Sequence, residues 1–310
     1  MEESRSRFIV KLLKEEFNNR LIGIILFGSR ARGDFREESD YDILVVLDKC
    51  KDGDKENAYI CLRPFRSLVN KDTTVLVISY KKLIENIGFS TILNAMYEGK
   101  ILYDYNGKIK RIKKKLIRKL REVGIVRIKE KWGYTWITPK NTPIPFTLSI
   151  DEDPIREFEF RLRLAKDHLE TAERSFNIEL YPVAVHYAQL SIENSTKAII
   201  ALFKPPTWSH RPGGELLKLI EERKELKKYK NFLEELSRVV DEVSKHHGLT
   251  TYGDIESLKT PKEIYTREEA KKLVLKAKEI LQKTRQIIND LSIRRYTPAR
   301  AHKERSYGRE

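Results

Sequence analysis

The stretch "ILFGSRARGDFREESDYDILVVL", Ile25 to Leu47, decides how this chain folds. It leaves an apolar run at Gly28-Ser29 and crosses a segment of mixed charge. It then re-enters an apolar run at Asp40-Tyr41-Asp42. Short β-branched runs bounded by turn residues read as buried strands. On a strand, residues i and i+2 share a face, so Asp40 and Asp42 point the same way. Two carboxylates that close repel each other and lose solvation. A divalent cation between them removes the problem, and Mg²⁺ takes oxygen ligands and brings phosphate oxygens with it. Gly28 lets backbone approach a phosphate closely. Ser29 adds a hydroxyl and a backbone N–H. If residues 29–33 open a helix, its N-terminus favours an anion, and Arg30 and Arg32 could neutralise phosphate charge.

Working outward, "SRFIVKLLKEEFNNR" carries Phe8, Ile9, Leu12, Leu13 and Phe17 at helical spacing. "TTVLVISY" predicts a third strand, and "AYICLRPFRSLVN" is ambiguous. "KKLIENIGFSTILNAMYEGKILYD" reads as helix to Gly99, then a short strand. The order α-β-turn-β-β-α predicts a small α/β domain over residues 1–106.

Residues 108–131 hold twelve Lys/Arg against two Glu. Ile109, Ile112, Leu116, Ile117 and Leu120 predict one apolar helix face there. "GIVRIKEKWGYTWIT" alternates like a hairpin with Gly133 near its turn. The basic helix could contact a nucleic-acid backbone, and Trp132, Tyr134 and Trp136 share a face that could stack bases. "PKNTPIPFTLSIDEDP" reads as a linker, which gives 107–153 as basic helix, hairpin and linker. Helices are expected near 155–177, 181–203, 214–223, 226–247 and 266–291, an all-α bundle over 154–293. The tail 294–310 reads as basic and disordered.

Lys and Arg exceed Asp and Glu by 61 − 46 = +15. Such a surplus suits a polyanionic partner and says nothing about fold. Cys50 and Cys61 make neither a disulfide framework nor a metal spacing. No 18-residue apolar run exists and the start "MEESRSRF" is charged, so neither a membrane span nor a signal peptide is expected, and the cytoplasm is the expected location. Glu and Lys richness resembles a thermophile's composition.

"GSRARGDFREESDYD" resembles the signature of the polymerase-β nucleotidyltransferase superfamily, in its small prokaryotic branch, akin to the kanamycin nucleotidyltransferase core. "EGKILYD", Glu98 to Asp104, resembles that branch's closing strand. The resemblance covers residues 1–106 and implies a mixed sheet, so that with the helical second half the expected fold class is α+β. It implies transfer of a nucleotidyl group from Mg-ATP or another nucleoside triphosphate to a hydroxyl, with release of pyrophosphate. Gly28 and Ser29, with Arg30 and Arg32, would hold the triphosphate, and Asp40 and Asp42 the metal. The family's third acid would fall near Thr74. Asp72 shares its side-chain parity and is the candidate third ligand and base.

"LYPVAVHYAQLSIENSTKA", Leu180 to Ala198, and "TTYGDIESLKTPKEIYTREEAKKLVLKAKEIL", Thr250 to Leu281, resemble HEPN domains. That likeness implies an all-α C-terminal half that binds the acceptor or forms a homodimer. Many HEPN domains are ribonucleases with Arg, four to six residues, then His. Here Arg238 and His246 have seven residues between them, and Arg295 and His302 lie in the tail. An active nuclease is therefore not expected. The His246-His247 pair is expected to close a helix, where a cation suits the dipole. Tyr252 and Tyr296 are candidate protein acceptors, and an RNA end is another. The competing readings are a catalytically weak nucleotide- or RNA-binding protein, and a fused toxin–antitoxin-like unit with a decayed HEPN ribonuclease.

Overall fold

The computed structural model describes residues 2–131, 133–143, 146–150 and 156–293. The chain divides into two compact units, Met1–Val126 with Thr147–Ile155, and Arg127–Phe146 with Arg156–Glu310.

In the first unit, α1 (Glu2–Phe17) buries Ile9, Leu13 and Phe17, the stripe that its spacing predicts. The strands β1 (Leu21–Phe27) and β2 (Tyr41–Leu47) are almost wholly buried. Between them lies the one-turn helix α2 (Gly28–Arg32). The ambiguous segment folds as α3 (Asp54–Cys61) and α4 (Arg63–Val69), with Pro64 in the first turn of α4, where its missing N–H costs nothing. Ala58, Leu62 and Phe65 bury the face that these helices turn to the core.

Next come β3 (Thr73–Ser79), α5 (Tyr80–Glu85), α6 (Ser90–Glu98) and β4 (Lys100–Asp104). The sheet order is β3-β2-β1-β4, with β1 antiparallel to β2 and β4 and β2 parallel to β3. This is the mixed sheet of the expected α+β class. The register pairs Phe27 with Asp42, and Asp42 with Thr74. Those two pairings set the corner described below. The basic helix α7 (Lys108–Glu122) closes the unit, with Ile109, Ile112, Leu116 and Leu120 buried. The Asp104 carboxylate caps it, accepting from the Ile109 and Lys110 N–H groups at 2.9 and 3.1 Å.

In the second unit, β5 (Val126–Glu130) and β6 (Gly133–Ile137) form the expected two-stranded hairpin. Among the described residues, its aromatics do not form an open stacking face. Trp136 is 1% exposed. The Arg127 guanidinium lies 4.6 Å from the centre of the Tyr134 ring. Trp132 is outside the described residues. Thr135 Oγ1 donates to Glu215 at 2.6 Å and accepts from Lys204 at 3.1 Å, a buried network that ties the hairpin to the helices.

The helices are α8 (Glu157–Asn177), α9 (Tyr181–Ala201), α10 (Gly213–Glu222), α11 (Lys230–Val243), α12 (His246–Tyr252), α13 (Pro261–Ile264) and α14 (Arg267–Ile293). A single helix over 226–247 is not what forms. The chain breaks after Val243, and His246-His247 opens α12 instead of closing a helix. A cation there would oppose the dipole. Burial, first, and neighbouring positive groups hold both imidazoles below their ordinary range. The His247 ring stacks on His210 at 4.5 Å and on His186 at 5.4 Å. Among the described residues, no helix is long and apolar enough to cross a membrane. The expected acceptor Tyr296, the pair Arg295 and His302, and the tail lie outside the described residues.

Candidate active site

The end of β1 faces the start of β2, so the Gly28 corner lies against Asp42. Gly28 has φ +72°, a left-handed conformation. A Cβ built on it would fall on Asp42 Oδ2. Only glycine leaves room for this corner to close on the carboxylate. The Ser29 carbonyl accepts from the Gly33 and Asp34 N–H groups at 2.8 and 3.2 Å and ends α2 after one turn.

Asp40 is exposed and Asp42 half-buried. Burial, then the neighbouring Asp40 charge, pushes the Asp42 carboxyl up to about 6. Arg32 and a hydrogen bond with Thr74 pull it down, and Glu98 adds a smaller upward push. This is the repulsion expected of two adjacent acids on one face.

The two arginines separate. Two residues apart on a helix is about 200° around its axis, so both cannot face one ligand. Arg30 is 6% exposed and gives Nε and Nη2 to the Ser39 carbonyl at 2.8 and 2.5 Å. The Tyr41 and Phe35 rings cover its guanidinium at 4.1 and 4.8 Å. It pins the loop that delivers Asp40. Arg32 stays in the site, donating to Glu98 Oε1 at 2.7 Å and to Asp34 at 3.1 Å.

Glu98 is a site residue that the sequence reading does not single out. Its Oε1 accepts from the Gly28 N–H at 3.2 Å as well as from Arg32. It therefore holds both ends of α2. Its signal lay in "EGKILYD", at the end of α6 beside the closing strand, but nothing local ties it to a residue 70 positions earlier.

Asp72 is placed differently. The Tyr41 N–H donates to its carbonyl at 3.1 Å, so it sits at the mouth of β3 beside Asp40. Its Oδ1 accepts from the Thr73 N–H at 2.7 Å and from Tyr59 Oη at 3.4 Å. Thr74, not an acid, stands beside Asp42. Among the described residues, no group of three His, Cys, Asp or Glu side chains forms a metal cage. The donor set present fits a hard cation bound by two carboxylates, with substrate phosphate and water completing its shell, which is how Mg²⁺ is commonly held. Asp40 and Asp42 are the residues that would hold it. An Asp42 carboxyl raised by burial and then by a neighbouring acid gains from such an ion.

Comparison with known proteins identifies two domain families in the chain. The family described as "Nucleotidyltransferase domain" matches residues 7–130, and the family described as "HEPN domain" matches residues 158–287. The chain is 36% identical over 104 residues to "Putative protein adenylyltransferase MJ0604" of Methanocaldococcus jannaschii, covering 33% of this chain and 98% of that protein. It is 36% identical over 81 residues to "Putative protein adenylyltransferase MJ0141" of the same organism, covering 25% of this chain and 81% of that one. A solved structure described as a tri-AMPylated Shewanella oneidensis HEPN toxin in complex with MNT antitoxin matches at 20% identity, over 39% of this chain and 88% of that one, with a TM-score of 0.28. That superposition is too loose to argue from.

Proposed function

We propose that this chain, which belongs to the nucleotidyltransferase family and carries a HEPN domain in its second unit, transfers the adenylyl group of ATP to a protein hydroxyl. The observation that carries the reading is the Gly28 corner closed on Asp42, whose carboxyl burial and Asp40 push up to about 6. The choice of adenylyl and of a protein acceptor is supported by the names of the two archaeal relatives, which align with the unit that holds this corner.

In this reading the hydroxyl oxygen bonds to the α-phosphorus, and the bond from that phosphorus to the bridging oxygen breaks. Pyrophosphate leaves, and the hydroxyl proton passes to a carboxylate of the site. A bound Mg²⁺ would neutralise charge on the carboxylate pair and the triphosphate. Asp40 and Asp42 are the residues that would hold that ion. The Gly28-Ser29 turn lets the backbone come close, and Arg32 supplies positive charge. Arg30 positions the Asp40 loop and Glu98 positions α2. The helical unit binds the acceptor or pairs with a second copy, for which exposed Ile178, Val183 and Leu275 offer apolar surface.

Incubation with each labelled triphosphate and Mg²⁺ tests this. Label from ATP on protein, absent in Asp40→Ala/Asp42→Ala, is the expected result. Label on RNA alone would refute the protein acceptor. A second reading, nucleotide binding without transfer, is favoured by the absence of a three-acid group among the described residues. It predicts no label, with ATP affinity that falls in the double variant.

Glu98 gives a further expectation. Glu98→Ala releases both the Gly28 N–H and Arg32, and a loosened site commonly loses about 10- to 100-fold in rate. We expect kcat/KM for labelling to fall by roughly that factor, while Glu98→Gln, which keeps an acceptor oxygen, recovers most of it. Equal loss in both variants would mean that the charge of Glu98, not its hold on α2, matters.

A further inference from the structure

We propose that the outward face of α7 is a docking strip for a nucleic-acid duplex, gripped through its phosphate backbone. The strip lies wholly in the first unit. At 100° per residue, Lys110, Arg111, Lys114, Lys115, Arg118 and Arg121 fall within one arc of about 140°. All six are exposed. The opposite arc holds Ile109, Ile112, Leu116 and Leu120, all buried. The strip runs over about 16 Å of helix.

The strip carries a standing internal cost. Lys110–Lys114, Arg111–Lys115 and Lys114–Arg118 are like-charged pairs at i, i+4, each unfavourable by about 0.2–0.5 kcal/mol. Several of the cations crowd the positive end of the helix dipole. Among the described residues, the ion pair that relieves the strip is Arg118 with Glu122 at 3.5 Å. Lys113, by contrast, turns inward and gives its Nζ to the Gly99 carbonyl at 2.7 Å, which removes it from the outer face. A polyanion laid along the strip adds attractions that offset these repulsions.

The same geometry selects the partner. Insertion of an amphipathic helix into a lipid surface draws on an apolar face as well as on cations. Here that face is used up in the core. A single strand is usually held by aromatic side chains on which its bases stack. The six outward positions hold no aromatic, and Trp136 of the hairpin is buried. What remains is a row of cations that contacts phosphate alone. A duplex presents that, at about one charge per 1.7 Å of axis.

The test measures binding of labelled RNA and DNA duplexes of about 20 base pairs to the full chain, from about 50 to 300 mM salt. The comparison is with Lys110→Ala/Lys114→Ala/Lys115→Ala/Arg118→Ala. These side chains lie outside the transfer site, so labelling activity and circular dichroism report whether the variant stays folded. Four lost phosphate contacts should flatten the slope of log K against log salt by about 3.6, at roughly 0.9 per contact. Affinity at the lowest salt should fall by at least 30-fold. Loss for one duplex but not the other identifies RNA or DNA as the partner. If neither duplex binds, if the folded variant binds as well as the parent, if single strands bind more tightly, or if anionic vesicles show the same loss while duplexes do not, the proposal is wrong.

Discussion

Asp42→Asn should abolish transfer and, in the same variant, make the nucleotide-free protein more stable at pH 8. Burial and the Asp40 charge raise the Asp42 carboxyl from an ordinary 3.8 to about 6. A carboxyl whose folded value lies above its unfolded value stabilises the fold when protonated. That contribution is full below about pH 4 and is lost as pH rises through about 6. A shift of about two units corresponds to roughly 3 kcal/mol at most. The neutral amide removes this penalty, so the variant should gain on the order of 1–3 kcal/mol at pH 8 and little at pH 4. It also removes half of the carboxylate pair. Loss of that electrostatic support should cost about 10³-fold or more in rate, some 4 kcal/mol. Labelling from ATP checks the first half, and thermal unfolding at pH 5 and pH 8, with and without Mg²⁺, checks the second. The parent should gain stability from Mg²⁺ at pH 8 and lose that response below about pH 6, where a proton competes for Asp42. The variant should respond weakly at either pH. A parent that ignores Mg²⁺ at pH 8, or a variant that still responds, would remove the metal from this reading.

How far the site could be read in advance follows from what was local. The Gly-Ser turn, the paired aspartates and the flanking strands lie within 23 residues, and strand periodicity alone puts Asp40 and Asp42 on one face. That the sheet is mixed follows from the same signature. What the sequence left open depends on long-range packing. Arg30 and Arg32 looked equivalent, yet their angular separation on one turn forces one into the wall, and only the rings of Tyr41 and Phe35 decide which. Glu98 reaches Gly28 across 70 positions, with no spacing rule to announce it. Thr74 was legible as the residue where an acid was missing. That its hydroxyl would hold Asp42 depended on the parallel register of β2 and β3. The hairpin aromatics were read from alternation, which gives the shared face but not whether that face meets solvent or core.

Gly28→Ala should cut transfer sharply, although it removes no chemical group. Two costs add at this position. The backbone sits at φ +72°, where an L side chain is strained by about 1–3 kcal/mol. The new methyl would also occupy the place of Asp42 Oδ2. The backbone cost alone predicts a drop in unfolding free energy of about 1–3 kcal/mol. The steric cost acts on the site, because the carboxylate must rotate away or the corner must open. Either movement displaces Asp42 from Asp40 and loosens the Gly28 N–H from Glu98. A displacement of about 1 Å in a positioning element commonly costs about 10²-fold, so the labelling rate should fall by roughly that or more. A second effect separates this from simple unfolding. Rotation of Asp42 away from Asp40 should lower its raised carboxyl, and the pH midpoint of the Mg²⁺ response should move below about 6. A folded Gly28→Ala protein with unchanged labelling and an unmoved midpoint would show that the corner does not close on Asp42 in the working enzyme.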